Sequence, residues 1–149
     1  MTDPVANKIV AHLARVGSDA VPEAARAAAE TFIADTLAVG IAGAAAPWRT
    51  EVLDMARASG GDPEATVWGS DHKLPLAQAA LVNAYQVHSQ EFDCLHEGAV
   101  VHAMSAILPS LLGWAEREGS TSGERLLRAV IAGIDVAVNL GLCSRAPMR

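Results

Sequence analysis

Hydrophobic positions recur every three to four residues over most of the chain, and Gly, Pro and Asp clusters break the pattern into helical lengths. Asp3-Pro4 opens a first amphipathic helix with Val5, Ile9, Val10, Leu13 and Val16 on one face, and Gly17 closes it. A second starts at Val21-Pro22-Glu23, where proline fits the first turn and Glu23 faces the positive helix end. It carries Ala25, Ala28, Phe32, Leu37 and Val39 into a run of small residues, Gly40 to Ala46, that lets another backbone approach closely, and Pro47 ends it. A third helix is expected over Thr50 to Ala58, before the turn cluster Ser59-Gly-Gly-Asp-Pro63.

Strand character is confined to Ala65-Thr-Val-Trp-Gly69. A further helix begins near Pro75 and carries Leu76, Ala80, Leu81, Ala84, Tyr85 and His88. The next runs from Ala103 to Glu118, with a kink or a late start expected at Pro109. Thr121-Ser-Gly-Glu124 has the spacing of a capping box for a last helix from about Ser122 to Leu142. The pattern predicts an all-α fold, a bundle-like single domain over residues 1–149 with about six helices and at most one very short strand.

Composition supports this. Hydrophobic residues make up 51% of the chain but aromatics only 4%, a balance that favours tightly packed, Ala-rich helices over sheets. Eleven basic against 17 acidic residues give a net charge of −6, and no Lys/Arg stripe marks a nucleic-acid partner. Cys94 and Cys143 are far apart and lack zinc-finger or disulfide spacing. The N-terminus lacks a signal-peptide pattern, and the most apolar run, Thr36 to Ala46, is about half a membrane span. A cytoplasmic protein without a membrane anchor is the expectation.

One segment departs from this apolar background. His88 to His102 holds three of the five histidines, the carboxylates of Glu91, Asp93 and Glu97, and Cys94. Carboxylates beside imidazoles suit proton transfer on a small polar substrate, because the acid can fix an imidazole's tautomer and stabilise its charged form. His102 stands at the start of the following helix, whose positive end favours the neutral ring and offers N–H groups to a carboxylate. Glu91 and Asp93, two apart, share a side if the loop is extended, and one or both would orient His96 or His102. Other readings remain open. The segment is also compatible with a polar surface loop. His96, His102 and Asp93 are acceptable ligands for zinc or iron, although their spacing is irregular. Cys94 reads as a small buried thiol, His88 as a hydrogen-bonded core histidine, and His12 and His72 as solvated residues.

The order of these segments resembles the MmgE/PrpD family, which includes 2-methylcitrate dehydratase, cis-aconitate decarboxylase and iminodisuccinate epimerase. Ile33-Ala-Asp35-Thr-Leu-Ala-Val-Gly40-Ile-Ala-Gly43 is similar to the family's "DTLGVALAG" helix, and Ala65 to Gly69 to its short "A-vwG" segment. Pro75 to His88 resembles the "AA-NG-AAH" helix, and Glu91 to His102 resembles "DFDDTHEGALVH". The resemblance implies a helical domain carrying part of a site for small di- or tricarboxylates, with acid/base chemistry and neither metal nor cofactor. It assigns proton transfer to His102, with Asp93 and Glu91 orienting it or setting its charge, and substrate contacts to His96 and His88. Glu91, Cys94, Leu95 and Ala103-Met104 depart from the family's Asp, Asp, Thr and Pro-Gly. Family members are much longer, so the resemblance also implies an N-terminal portion, truncated near Arg145-Ala-Pro-Met-Arg149, of a homodimeric enzyme.

Overall fold

The computed structural model describes residues 4–143. Asp3, expected to open the first helix, and the closing Arg145 to Arg149 lie outside them. The elements run α1 (Pro4–Ser18), α2 (Glu23–Ala42), a single 3-10 turn (Gly43–Ala45), α3 (Arg49–Ala58), β1 (Ala65–Thr66), β2 (Lys73–Leu74), α4 (Leu76–His88), α5 (Ala103–Glu118) and α6 (Gly123–Cys143). This is the all-α fold that the periodicity predicts. Its one addition is β2, which pairs antiparallel with β1 in the register Ala65 to Leu74 and Thr66 to Lys73.

Helix α4 is the axis of the molecule, packing against α2, α3, α5 and the hairpin. Two apolar clusters share it. One joins Ala29, Trp68, Val87, Met104, Leu108, Leu127 and Val130; the other joins Leu53, Ala56, Ala65, Val67, Leu74, Ala79 and Val82. Met104 and Leu108 are wholly buried, each contributing roughly 1.5–3 kcal/mol of transfer free energy.

Polar residues of α4 fix the hairpin to this axis. Asn83 accepts from the Trp68 N–H at 2.9 Å and donates to the Thr66 carbonyl at 2.9 Å. The buried Gln86 donates to the carbonyls of Gly40 and Trp68, both at 3.0 Å, and accepts from Arg49 Nε at 3.2 Å. The small residues at the end of α2 permit this approach, since a Cβ at Gly43 would fall on the Gln86 carbonyl.

Three local expectations change. Helix α5 begins at Ala103 and runs through the buried Pro109, so there is no late start. The cap of α6 is Ser122, whose Oγ accepts from the Arg125 N–H at 3.2 Å, while Thr121 Oγ1 is buried without a partner among the described residues. Glu124 instead pairs with Arg26 at 2.9 Å and Arg128 at 2.8 Å. Counted as whole helices, Glu23–Ala45 and Gly123–Cys143 are long and apolar enough to cross a membrane, with mean hydropathies of 1.3 and 1.8. The apolar run Thr36 to Ala46 covers only the end of α2 and the 3-10 turn that follows it. In the fold, both helices pack on α5 and on each other and supply core residues.

Candidate active site

The polar segment joins α4 to α5, and its two ends are brought together because those helices pack side by side. Ser89 caps α4, its N–H bonded to the Tyr85 carbonyl at 2.8 Å and its Oγ to the Gln86 carbonyl at 3.1 Å. His88 is thereby held on the last turn of α4, and His102 is the N-cap residue of α5. Between them the chain turns through left-handed backbone at Glu91 (φ 53°) and Val100 (φ 51°). A bridge from His96 to Val101 closes the loop's far end. The last turn of α6 supports it: a Cβ at Gly141 would come within 2.7 Å of the Ala99 carbonyl oxygen.

Asp93 is the centre of the arrangement. Its side chain is 0% exposed, and two imidazoles face it. His88 Nδ1 lies 3.1 and 3.2 Å from its two oxygens in hydrogen-bonding geometry. His102 Nδ1 lies 3.2 Å from Oδ2, but off the line of a hydrogen bond, and this buried nitrogen has no other partner among the described residues. The contact with His102 is therefore one of proximity, without the alignment of a hydrogen bond. The two rings meet edge to face, with centroids 4.8 Å apart and planes at 64°.

The other sequence candidates lie elsewhere. Glu91 is exposed, so the expectation that it shares a side with Asp93 fails; the left-handed turn at Glu91 breaks the alternation of an extended strand. His96 accepts the Ala99 N–H on its Nδ1 at 3.0 Å and borders a separate cavity of about 120 Å³ with Phe32, Cys94 and Ile134. Burial, and then the charges of Asp35 and Asp93, push the Cys94 thiol above its ordinary range, which disfavours the nucleophilic thiolate. His12 and His72 are more than solvated residues. His12 joins Asp135 of α6 at 2.9 Å, and His72 joins Arg57 at 2.9 Å.

A cleft of about 480 Å³ opens beside His88, lined also by Val52, Met55, Leu81, Ala84, Tyr85, Ser89, Ser105 and Ala106. Sequence reasoning missed this wall, although Leu81, Ala84, Tyr85 and His88 share the spacing of one helical face. Among the described residues, neither cavity is lined by Lys or Arg. The donor atoms of His88, Asp93 and His102 lie within 4.8 Å of one another and form the one set suited to a metal ion among the described residues. Two nitrogens at about 2.1 Å from one zinc stand no more than about 4.2 Å apart, so this set would have to tighten to hold one. His88, not His96, belongs to it.

The fold and the site define an all-α domain with a carboxylate buried between two histidines at the junction of α4 and α5. The profile of the MmgE/PrpD N-terminal domain matches residues 7–148, and the chain belongs to that family. It is 37% identical over 113 residues to cis-aconitate decarboxylase of Homo sapiens, covering 70% of this chain and 22% of that protein. The Mus musculus enzyme is 35% identical over 109 residues, with the same coverage. A cis-aconitate decarboxylase-like protein, oryM, of Aspergillus oryzae is 27% identical over 112 residues, covering 75% of this chain and 22% of that protein. The chain thus spans about a fifth of the curated relatives it matches. No solved structure matches.

Proposed function

We propose that this chain is the N-terminal helical part of a lyase-type enzyme that acts on a small di- or tricarboxylate by acid/base catalysis, either removing a proton alpha to a carboxylate so that water is lost, or delivering a proton to the carbanion left when carbon dioxide departs. The carrying observation is the buried Asp93 between His88 and His102, in the segment that resembles the family's signature. His102 accepts the proton, and the Asp93 carboxylate, 3.2 Å from its Nδ1, stabilises the imidazolium that forms. Return of the proton to the opposite face would give epimerisation with the same residues.

The test is His102→Ala in the full protein, assayed with cis-aconitate and with citrate-like and succinate-like acids. A loss of at least ~100-fold in turnover is expected. Wild-type rates in the variant would remove His102 from the chemistry.

A further inference from the structure

His88 and His102 hold different places around the shared carboxylate. His88 is the ring with hydrogen bonds to both Asp93 oxygens, and with 49% of its side chain exposed it lines the open cleft beside Tyr85, Ser89 and Ser105. With Asp93 as the acceptor of this contact, the proton sits on His88 Nδ1 and the lone pair of the neutral ring sits on Nε2. Nε2 lies across the ring from Asp93. A carboxylate behind Nδ1 is the arrangement that prepares an imidazole to exchange protons through its other nitrogen. The two ring centroids stand 4.8 Å apart, and of the two rings it is His88 that lines the cleft.

We propose that His88 is a second proton-transfer group of this site, paired with His102 through Asp93. This rests on the acid/base reading above. His102 takes the proton from the carbon alpha to a carboxylate, and the C–H electron pair stays on the substrate as an enolate. His88, which enters the cycle with a solvent proton on Nε2, gives that proton to the departing hydroxyl, and His102 releases the substrate proton to solvent at the end of the cycle. The C–O bond then breaks with its electrons on oxygen, water leaves, and the enolate pair becomes the new C=C bond.

Two measurements test this. Long-range ¹H–¹⁵N spectra of this chain should show neutral His88 with its proton on Nδ1, moving to the Nε2–H form in Asp93→Asn. A wild-type His88 in the Nε2–H form, or one unmoved by Asp93→Asn, overturns the proposal whatever the enzyme's activity. In the full protein with citrate in heavy water, His88→Asn should lose product formation by ~100-fold or more yet still exchange substrate C–H for deuterium through His102. His102→Asn should lose both. Wild-type product formation by His88→Asn, or equal loss of exchange and product, overturns the second role and leaves the acid/base reading standing. A wild-type enzyme that converts neither citrate nor any other carboxylic acid removes that reading and this proposal together.

Discussion

Val100 and Glu91 hold left-handed backbone on either side of Asp93, a conformation that costs an L-residue roughly 1–2 kcal/mol and is rarest for β-branched side chains. Val100 is 47% exposed, so little apolar contact offsets that cost. Val100→Asn should therefore stabilise the chain by about 0.5–1.5 kcal/mol in urea unfolding, because Asn accepts this backbone conformation; a loss of stability would show that the valine contacts outweigh the strain. The thiols give a second expectation. At about pH 8 iodoacetamide should alkylate exposed Cys143 at least ~10 times faster than half-buried Cys94, and equal rates would contradict the shielding of Cys94. Hydrogen bonds from Arg26, and then Arg128, hold Glu124 below the usual carboxylate range. Its folded value lies below its unfolded one, so its contribution is present above the ordinary 4.5 and lost as pH falls through the depressed value. The melting temperature of Glu124→Gln should trail wild type at about pH 6 and converge with it near about pH 3; a gap unchanged over that range would exclude the ion pairs as its source. At this scale sequence separated Asp93 and His102 from their apolar background. The direction of Glu91 was hidden, because a single left-handed residue reverses the alternation on which the inference depends.

Among the elements, α4 has the most demanding role, since it faces apolar neighbours on two sides and still carries the amides that fix the hairpin. Gln86→Leu would leave the Gly40 and Trp68 carbonyls and the Arg49 guanidinium without their partner. A loss of about 2–4 kcal/mol is expected, and a neutral effect in urea unfolding would show that water replaces the amide. Helix boundaries were legible to within a residue or two because caps, prolines and apolar periodicity coincide, except at the end of α2, which closes at Ala42 and passes into a 3-10 turn before Pro47. The strand Lys73–Leu74 was not, since two residues carry no period, and their pairing depends on Asn83 and Glu64 anchoring neighbouring backbone from elsewhere in the chain. The α6 cap was displaced by one residue because Thr121 and Ser122 offer the same acceptor, and the choice is made by backbone geometry.

For the molecule as a whole, the sharing of α4 by both apolar clusters couples them. Unfolding followed by tryptophan fluorescence and by far-ultraviolet circular dichroism should therefore give one coincident transition, and separated midpoints would show that the clusters melt independently. The all-α class was readable from periodicity and composition. The attachment of α1 was not: it buries none of its residues and is tied to α6 by His12 to Asp135 and by Arg128 to the Val16 carbonyl, partners more than a hundred residues apart. Contacts of that range leave no local pattern. The close seat of Gly141 under Ala99 has a practical consequence for watching the site. Cys143 is exposed two residues beyond that glycine, while Cys94 is shielded, so a fluorophore attached selectively at Cys143 would stand beside the loop that carries Asp93. Changes in its emission on adding an acid would give an optical signal of loop movement without altering any residue of the histidine cluster.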